Sequence, residues 1–298
     1  MTKLSEFELQ SKTIDWLRFP LAILVIFIHM NPEVDIQNVN YSHFDWYSLY
    51  NVFGILISKT VGGIAVPSFF MFSGYLFFNK LKDWNKTVYF TKLKTRLRTL
   101  VLPFILFNLG AIVLHILMKI LKADGNFYSY LSELSANWYR IFWNYSSWGE
   151  GNSNMFGFAL QPNFGPYVLP LWFLRDLIVM VFISPIVYYL IKYTKIWGLV
   201  VLFFFYYTKL WIEIPGYSAR LFLMAFFFFS IGSFFSINKQ NIVISLRKYQ
   251  KIWVVMALIT MCLSVYSNGM DYHKFFYPSF KCLCFSGHLK HLLNMLML

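Results

Sequence analysis

Seven stretches of the chain run almost free of charge: residues 14–30, 52–78, 99–119, 169–191, 196–211, 220–237 and 252–267. Several are shorter than the roughly 20 apolar residues that a straight span needs, the fifth and seventh being the weakest. The intervening segments alternate in charge. Residues 79–98 carry Lys80, Lys82, Lys86, Lys92, Lys94, Arg96 and Arg98 against Asp83 alone. Lys192 and Lys195 follow the fourth run, and Lys239, Arg247, Lys248 and Lys251 follow the sixth. Residues 31–51 reverse the pattern, with Glu33, Asp35 and Asp45 and no Lys or Arg. Residues 122–168 hold Lys122 and Arg140 against Asp124, Glu133 and Glu150, amid many Trp, Tyr, Asn, Ser and Gly. Lys and Arg accumulate in loops on the cytoplasmic side, so the charges predict a cytoplasmic N-terminus and a multi-pass chain in the cell membrane. The expected fold is all-α: a polytopic integral membrane helical bundle of about seven spans, forming one domain over 1–298. Residues 268–298 break the pattern, because Lys274, Lys281 and Lys290 fall where an outer segment is expected. They read as an atypical tail, for which two readings stand: one more span in disguise, or a sequence cut short. The first apolar run lacks a small-residue cleavage site and reads as a retained span.

Composition narrows the class. Of 298 residues, 58% are hydrophobic and only 13% are charged; soluble domains average about 25% charged residues. The formal net charge of +13 does not point to nucleic acid, because the basic residues sit in short loops and leave no polar domain to bind it. Membrane lipids are the expected surroundings. Cys262, Cys282 and Cys284 do not suggest a disulfide framework. Cys282-x-Cys284 with His288 and His291 has irregular spacing in an apolar setting, so no metal site is expected.

The chemistry concentrates in the first run. Arg18 and His29 are eleven residues apart, three helical turns, so they share a face about 16 Å apart along the axis. Ionisable groups within a span cost on the order of 3 kcal/mol each and commonly serve a pathway or a reaction. Asp15, three residues before Arg18, is spaced to pair with it. Pro20 suits a first helical turn, so regular helix is expected to begin there, with Asp15 and Arg18 in a preceding turn.

These residues carry a resemblance. Arg-x10-His within "IDWLRFPLAILVIFIH" resembles the opening motif of the acyltransferase-3 family of membrane O-acyltransferases. "GGIAVPSFFMFSGYLFF" (62–78), "TRLRTLVLPFILFN" (95–108) and "LPLWFLRDLIVMVFISPIVYYL" (169–190) resemble its second span, the approach to its third, and its Trp-Phe-Leu span. The four matches fall in the family's order over about 190 residues. The basic loop departs from it, with Arg96-Leu-Arg98 where many members have Arg-x-x-Arg, and the chain is short against a family of commonly about ten spans. The resemblance implies transfer of an acyl group, most often acetyl, from cytoplasmic acetyl-CoA or another acyl-CoA. The acceptor implied is a hydroxyl of a cell-envelope polysaccharide, its precursor or a lipid-linked sugar. The acyl-CoA is a donor substrate, with no bound cofactor.

Acyl transfer to a hydroxyl needs a base and positive charge at the donor or the oxyanion. His29 fits the base or a transient acyl carrier, Arg18 the cation, and Asp15 its partner. Arg96 and Arg98 are candidates for the donor's phosphates, against the alternative of topogenic charge. Trp172, Arg175 and Asp176 are candidates for the acceptor, against aromatic anchoring at the interface. Ser73-Gly74 reads as close helix packing, His115 as a packed polar residue without a local partner, and Phe226–Phe229 as a lipid-facing surface. The same charges would also serve a secondary transporter or glycan exporter; a third reading is an inactive short member of the family.

Overall fold

The computed structural model describes residues 6–30, 46–79, 81, 83–122, 125–148, 162–241, and isolated positions between 251 and 262. The described residues form two compact units, one from residues 1–72 with 238–298, the other from residues 73–237. Helix dominates both, as the apolar runs predict.

In the first unit, α1 (Glu6–Met30) packs against a long helical segment. That segment begins with α2 (Trp46–Gly54), loosens to a π-helical stretch (Ile55–Val61), tightens to a 3-10 turn (Gly62–Ile64) and continues into α3 (Ala65–Phe78), whose residues from Ser73 onward belong to the second unit. Pro67 accounts for part of this irregularity: it has no N–H for the carbonyl four residues back, and a change of helical pitch absorbs the loss. The buried stripe of α1 is Gln10, Thr13, Ile14, Leu17 and Leu21, spaced at three and four residues. At Gly62 a side chain would strike Ile28 Cγ1 at 2.7 Å, so glycine lets the two helices approach. Pro20 lies inside α1 rather than at its start. The proline leaves the Trp16 carbonyl without its helical partner, and the packed stripe on either side keeps the helix continuous.

In the second unit, α4 (Lys86–Arg96) starts under a cap from Asn85, whose side chain accepts from Val88 N at 2.9 Å. It runs through a π-helical turn (Leu97–Val101) into α5 (Leu102–Leu121). The basic stretch before the third apolar run is therefore helix from Lys86 onward, where a loop was expected. After α6 (Phe127–Ala136), a short antiparallel pair, β1 (Ser146–Trp148) with β2 (Asn163–Gly165), precedes α7 (Trp172–Phe182). Then come α8 (Ser184–Thr194), α9 (Ile196–Thr208) and α10 (Ala219–Ile237).

The core of this unit is α10, packed by α7, α8 and α9. Phe226, Phe227, Phe228 and Phe229 are all buried, which corrects the lipid-facing expectation. A helix that is apolar all round belongs inside when other helices are available to surround it. Gly74 is the close-packing residue: a Cβ there would lie 2.9 Å from the Phe229 carbonyl carbon and 3.0 Å from Ser233 Oγ.

Among the described residues, three helices are long and apolar enough to cross a membrane: Leu56–Phe78, Lys86–Leu121 and Ala219–Ile237. A fourth crossing results if Leu169–Phe182 and Ser184–Thr194, bent by 61°, act as one span. Pro185 sits just past the bend, at the start of α8. Helix α9 is 13 residues long, short for a crossing. The seventh expected run, 252–267, and the tail 268–298 fall mostly or wholly outside the described residues. The fold class is an all-α membrane bundle.

Candidate active site

Asp15, Arg18 and His29 lie off the packed stripe of α1, on its exposed surface. Arg18 Nη1 and Asp15 Oδ1 are 2.8 Å apart, one turn from each other, and the side chains are 48% and 60% exposed. His29 is also exposed. Because α1 continues through Pro20, the three-turn relation between Arg18 and His29 holds, at about 16 Å along the axis. The pair and the imidazole thus line one exposed strip, with Ala22 between them. At this exposure the ion pair adds on the order of 1 kcal/mol or less to stability. Its chemical effect is to fix one edge of the guanidinium.

The basic residues of the second unit occupy one end of the Lys86–Leu121 helix. Lys92 Nζ donates to the Phe77 carbonyl at 2.6 Å and lies 5.7 Å from the centre of the Phe77 ring. A cation there meets the free carbonyls at the C-terminus of α3. Arg96, half-buried, is near enough to Lys92 to repel it; Arg98 is exposed on the π-helical turn. Lys92 thereby serves the fold, while Arg98 faces outward.

Arg175 and Asp176 lie at the start of α7, 3% and 0% exposed. Arg175 Nε donates to Asp176 Oδ1 at 2.9 Å, and Nη1 donates to the carbonyls of Trp143 at 2.6 Å and Phe164 at 3.0 Å. Its guanidinium carbon is 4.5 Å from the centre of the Tyr217 ring and 5.2 Å from that of Trp143. The Tyr217 hydroxyl faces the Asp176 carboxylate without meeting strict hydrogen-bond geometry. This clamp joins α7 to the residues before β1, to β2 and to the turn before α10. Trp172, one turn earlier, is half-buried with its ring 6.0 Å from Trp148. The structure thus separates the three acceptor candidates: Trp172 remains reachable, and Arg175 and Asp176 are committed to each other and to backbone.

His115 is exposed on α5, which corrects the expectation of a packed residue, and its partner is distant in sequence rather than local: Nδ1 is 2.8 Å from the Tyr167 hydroxyl. Sequence reasoning missed Tyr217, Trp143 and Tyr167, because they lie 32 to 52 residues from the groups they meet and leave no local spacing to read. Among the described residues, no three His, Cys, Asp or Glu side chains converge as metal ligands. The Cys282, Cys284, His288 and His291 group lies outside them.

Arg-x10-His on the exposed face of the first helix of an all-α membrane bundle is the arrangement that the resemblance to the membrane acyltransferases led one to expect. A family model described as an acyltransferase domain matches residues 11–287, and the chain belongs to the acyltransferase-3 family. It is also similar to the succinoglycan biosynthesis protein ExoH of Rhizobium meliloti (strain 1021), with 26% identity over 189 residues. That match covers 61% of this chain and 43% of the relative, so the chain spans under half the length of the curated relative it matches. No solved structure matches.

Proposed function

We propose that this protein is a membrane O-acyltransferase that moves acetyl from cytoplasmic acetyl-CoA to a hydroxyl of a cell-envelope polysaccharide or its lipid-linked precursor. The observation that carries the reading is the strip on α1, where the Asp15–Arg18 pair and His29 share one exposed face. Family membership supplies the reaction class, and the name of the ExoH relative supports a polysaccharide acceptor.

In this reading His29 takes the proton of the acceptor hydroxyl as its oxygen attacks the thioester carbonyl. The C–S bond breaks, an ester forms, and the leaving thiolate takes the proton back from the imidazolium. The axial separation of about 16 Å keeps Arg18 off the same carbonyl. Arg18 instead holds the phosphate end of a donor lying along the strip, and Asp15 sets its orientation. Within the second unit, Arg98 with Arg96 offers charge suited to phosphate oxygens. Trp172 meets the acceptor, with Arg175 and Asp176 holding the surrounding elements in place. The N-terminus is cytoplasmic and the chain multi-pass in the plasma membrane, on the strength of the Lys and Arg distribution.

The test is ester content. Envelope polysaccharide from cells expressing the wild type is expected to carry O-acetyl groups, seen by proton NMR and removed by mild alkali. Cells expressing His29→Ala at equal membrane levels are expected to lack them. Equal ester content in both contradicts the proposal. Export of unmodified glycan driven by an ion gradient, with no ester formed, would assign the chain to the transporters.

A further inference from the structure

A second polar site lies at the far end of the Lys86–Leu121 helix. His115 Nδ1 is 2.8 Å from the Tyr167 hydroxyl, which is 2.7 Å from the Tyr130 hydroxyl. The His115 and Tyr130 rings are 4.8 Å apart, Tyr145 lies 5.1 Å from Tyr167, and Lys119 Nζ is 5.4 Å from the centre of the Tyr130 ring. Glu133, exposed on α6, is near enough to act electrostatically on Tyr145 and Tyr167. The three groups of the chain are half-buried or exposed, so this hydrogen-bonded row opens outward. Burial first, then the bond with Tyr130, push the Tyr167 phenol well above its ordinary value, so it remains a neutral hydroxyl.

We propose that His115, Tyr130 and Tyr167 form a subsite for a sugar unit of the acceptor glycan, on the membrane face opposite the basic cluster. The row consists of groups that both donate and accept, and His115 at its end is exposed. A polyol has the same dual character at every hydroxyl, and its C–H faces suit the adjoining aromatic rings. A simple anion fits poorly, because Glu133 offsets Lys119. A purely apolar ligand would strand the polar row. Position agrees: nineteen helical residues separate Arg96 from His115, about 29 Å, close to the roughly 30 Å hydrocarbon thickness. Donor-side charge and sugar-side row therefore occupy opposite ends of one helix.

The subsite deepens the acyltransferase reading and rests on it, so its test needs a readout independent of transfer. The full chain in phospholipid nanodiscs would be titrated with a soluble tetrasaccharide of β-linked glucose and, separately, with sodium phosphate. Binding would be followed by saturation-transfer NMR. The wild type is expected to bind the sugar and not the phosphate. His115→Gln, Tyr130→Phe and Tyr167→Phe are each expected to weaken sugar binding by about tenfold, the loss of a single hydrogen bond. In the transfer assay the same variants are expected to raise the acceptor KM by a like factor, with the acetyl-CoA KM unchanged. Tyr130→Phe keeps the ring beside His115 and carries the test should His115→Gln fail to insert. Sugar affinity equal to wild type in the variants would overturn the proposal. So would a wild type that does not bind the sugar, and phosphate binding in its place would reassign the row to an anion or lipid headgroup. Sugar binding without any acetyl transfer would overturn the acyltransferase reading and leave the subsite standing.

Discussion

Arg175→Met tests the clamp on α7 most severely. The substitution removes two hydrogen bonds to carbonyls, at 2.6 Å and 3.0 Å, and the ion pair to Asp176 at 2.9 Å. It also removes the stacking of the guanidinium on Tyr217 and Trp143. Methionine fills most of the volume, so the loss is electrostatic rather than a cavity. The dominant cost is the stranding of Asp176, which is fully buried; removing one member of a buried pair costs about 3–5 kcal/mol. A fall of about 4 kcal/mol lowers the melting temperature by roughly 8–16 °C for a unit of 150–250 residues. The assay is thermal unfolding in detergent, followed by the loss of the monodisperse peak on size-exclusion chromatography. The double variant Arg175→Met/Asp176→Leu no longer strands a carboxylate and is expected to regain at least half of the loss, the two carbonyls remaining unpaired. A shift of less than about 2 °C for Arg175→Met, or a double variant no more stable than the single, would refute the reasoning.

Three further outcomes follow from the packing. Gly74→Ala drives a methyl into the Phe229 backbone and is expected to destabilise by about 1–3 kcal/mol, read as a lower melting temperature with unchanged membrane insertion. Asn108, fully buried, accepts from Val168 N at 2.9 Å and donates to the Phe104 carbonyl at 2.8 Å. Asn108→Leu is expected to cost about 1–3 kcal/mol and to increase hydrogen exchange at the Val168 amide. Burial, then the Asp176 carboxylate, push the Tyr217 phenol well above its ordinary value of 10.0. The folded state then holds that proton more tightly than the unfolded chain, so the stability it supplies is present below about pH 10 and lost above it. The melting temperature is expected to fall as pH rises past that point, less steeply in Tyr217→Phe; parallel curves would contradict the burial.

The sequence made the helices legible because apolar runs and alternating loop charge are properties of contiguous residues. Asp15–Arg18 was legible for the same reason, since three residues of helix bring the groups together. Pro20 misled, because a local rule placed it at a helix start while the Gln10–Leu21 stripe holds the helix through it. Phe226–Phe229 misled in the opposite way: apolarity alone does not distinguish a lipid-facing helix from a central one, and α10 is central. Arg175 read as a ligand-binding cation because charge near a span end suggests function, whereas its partners come from β2 and from segments 32 and 42 residues distant. The His115–Tyr167–Tyr130 row was illegible for that reason too, since it unites α5, α6 and the approach to α7.

The central claim is that the strip on α1 performs acyl transfer, and the most direct measurement is made on isolated membranes. Vesicles containing the wild type, His29→Ala or Arg18→Ala at equal levels would receive radiolabelled acetyl-CoA and envelope polysaccharide. Alkali-labile label is expected in the polysaccharide with the wild type and in neither variant, with Arg18→Ala partly restored at high acetyl-CoA concentration. Label incorporated equally by wild type and His29→Ala, or absent with a stably inserted wild type, would contradict the account.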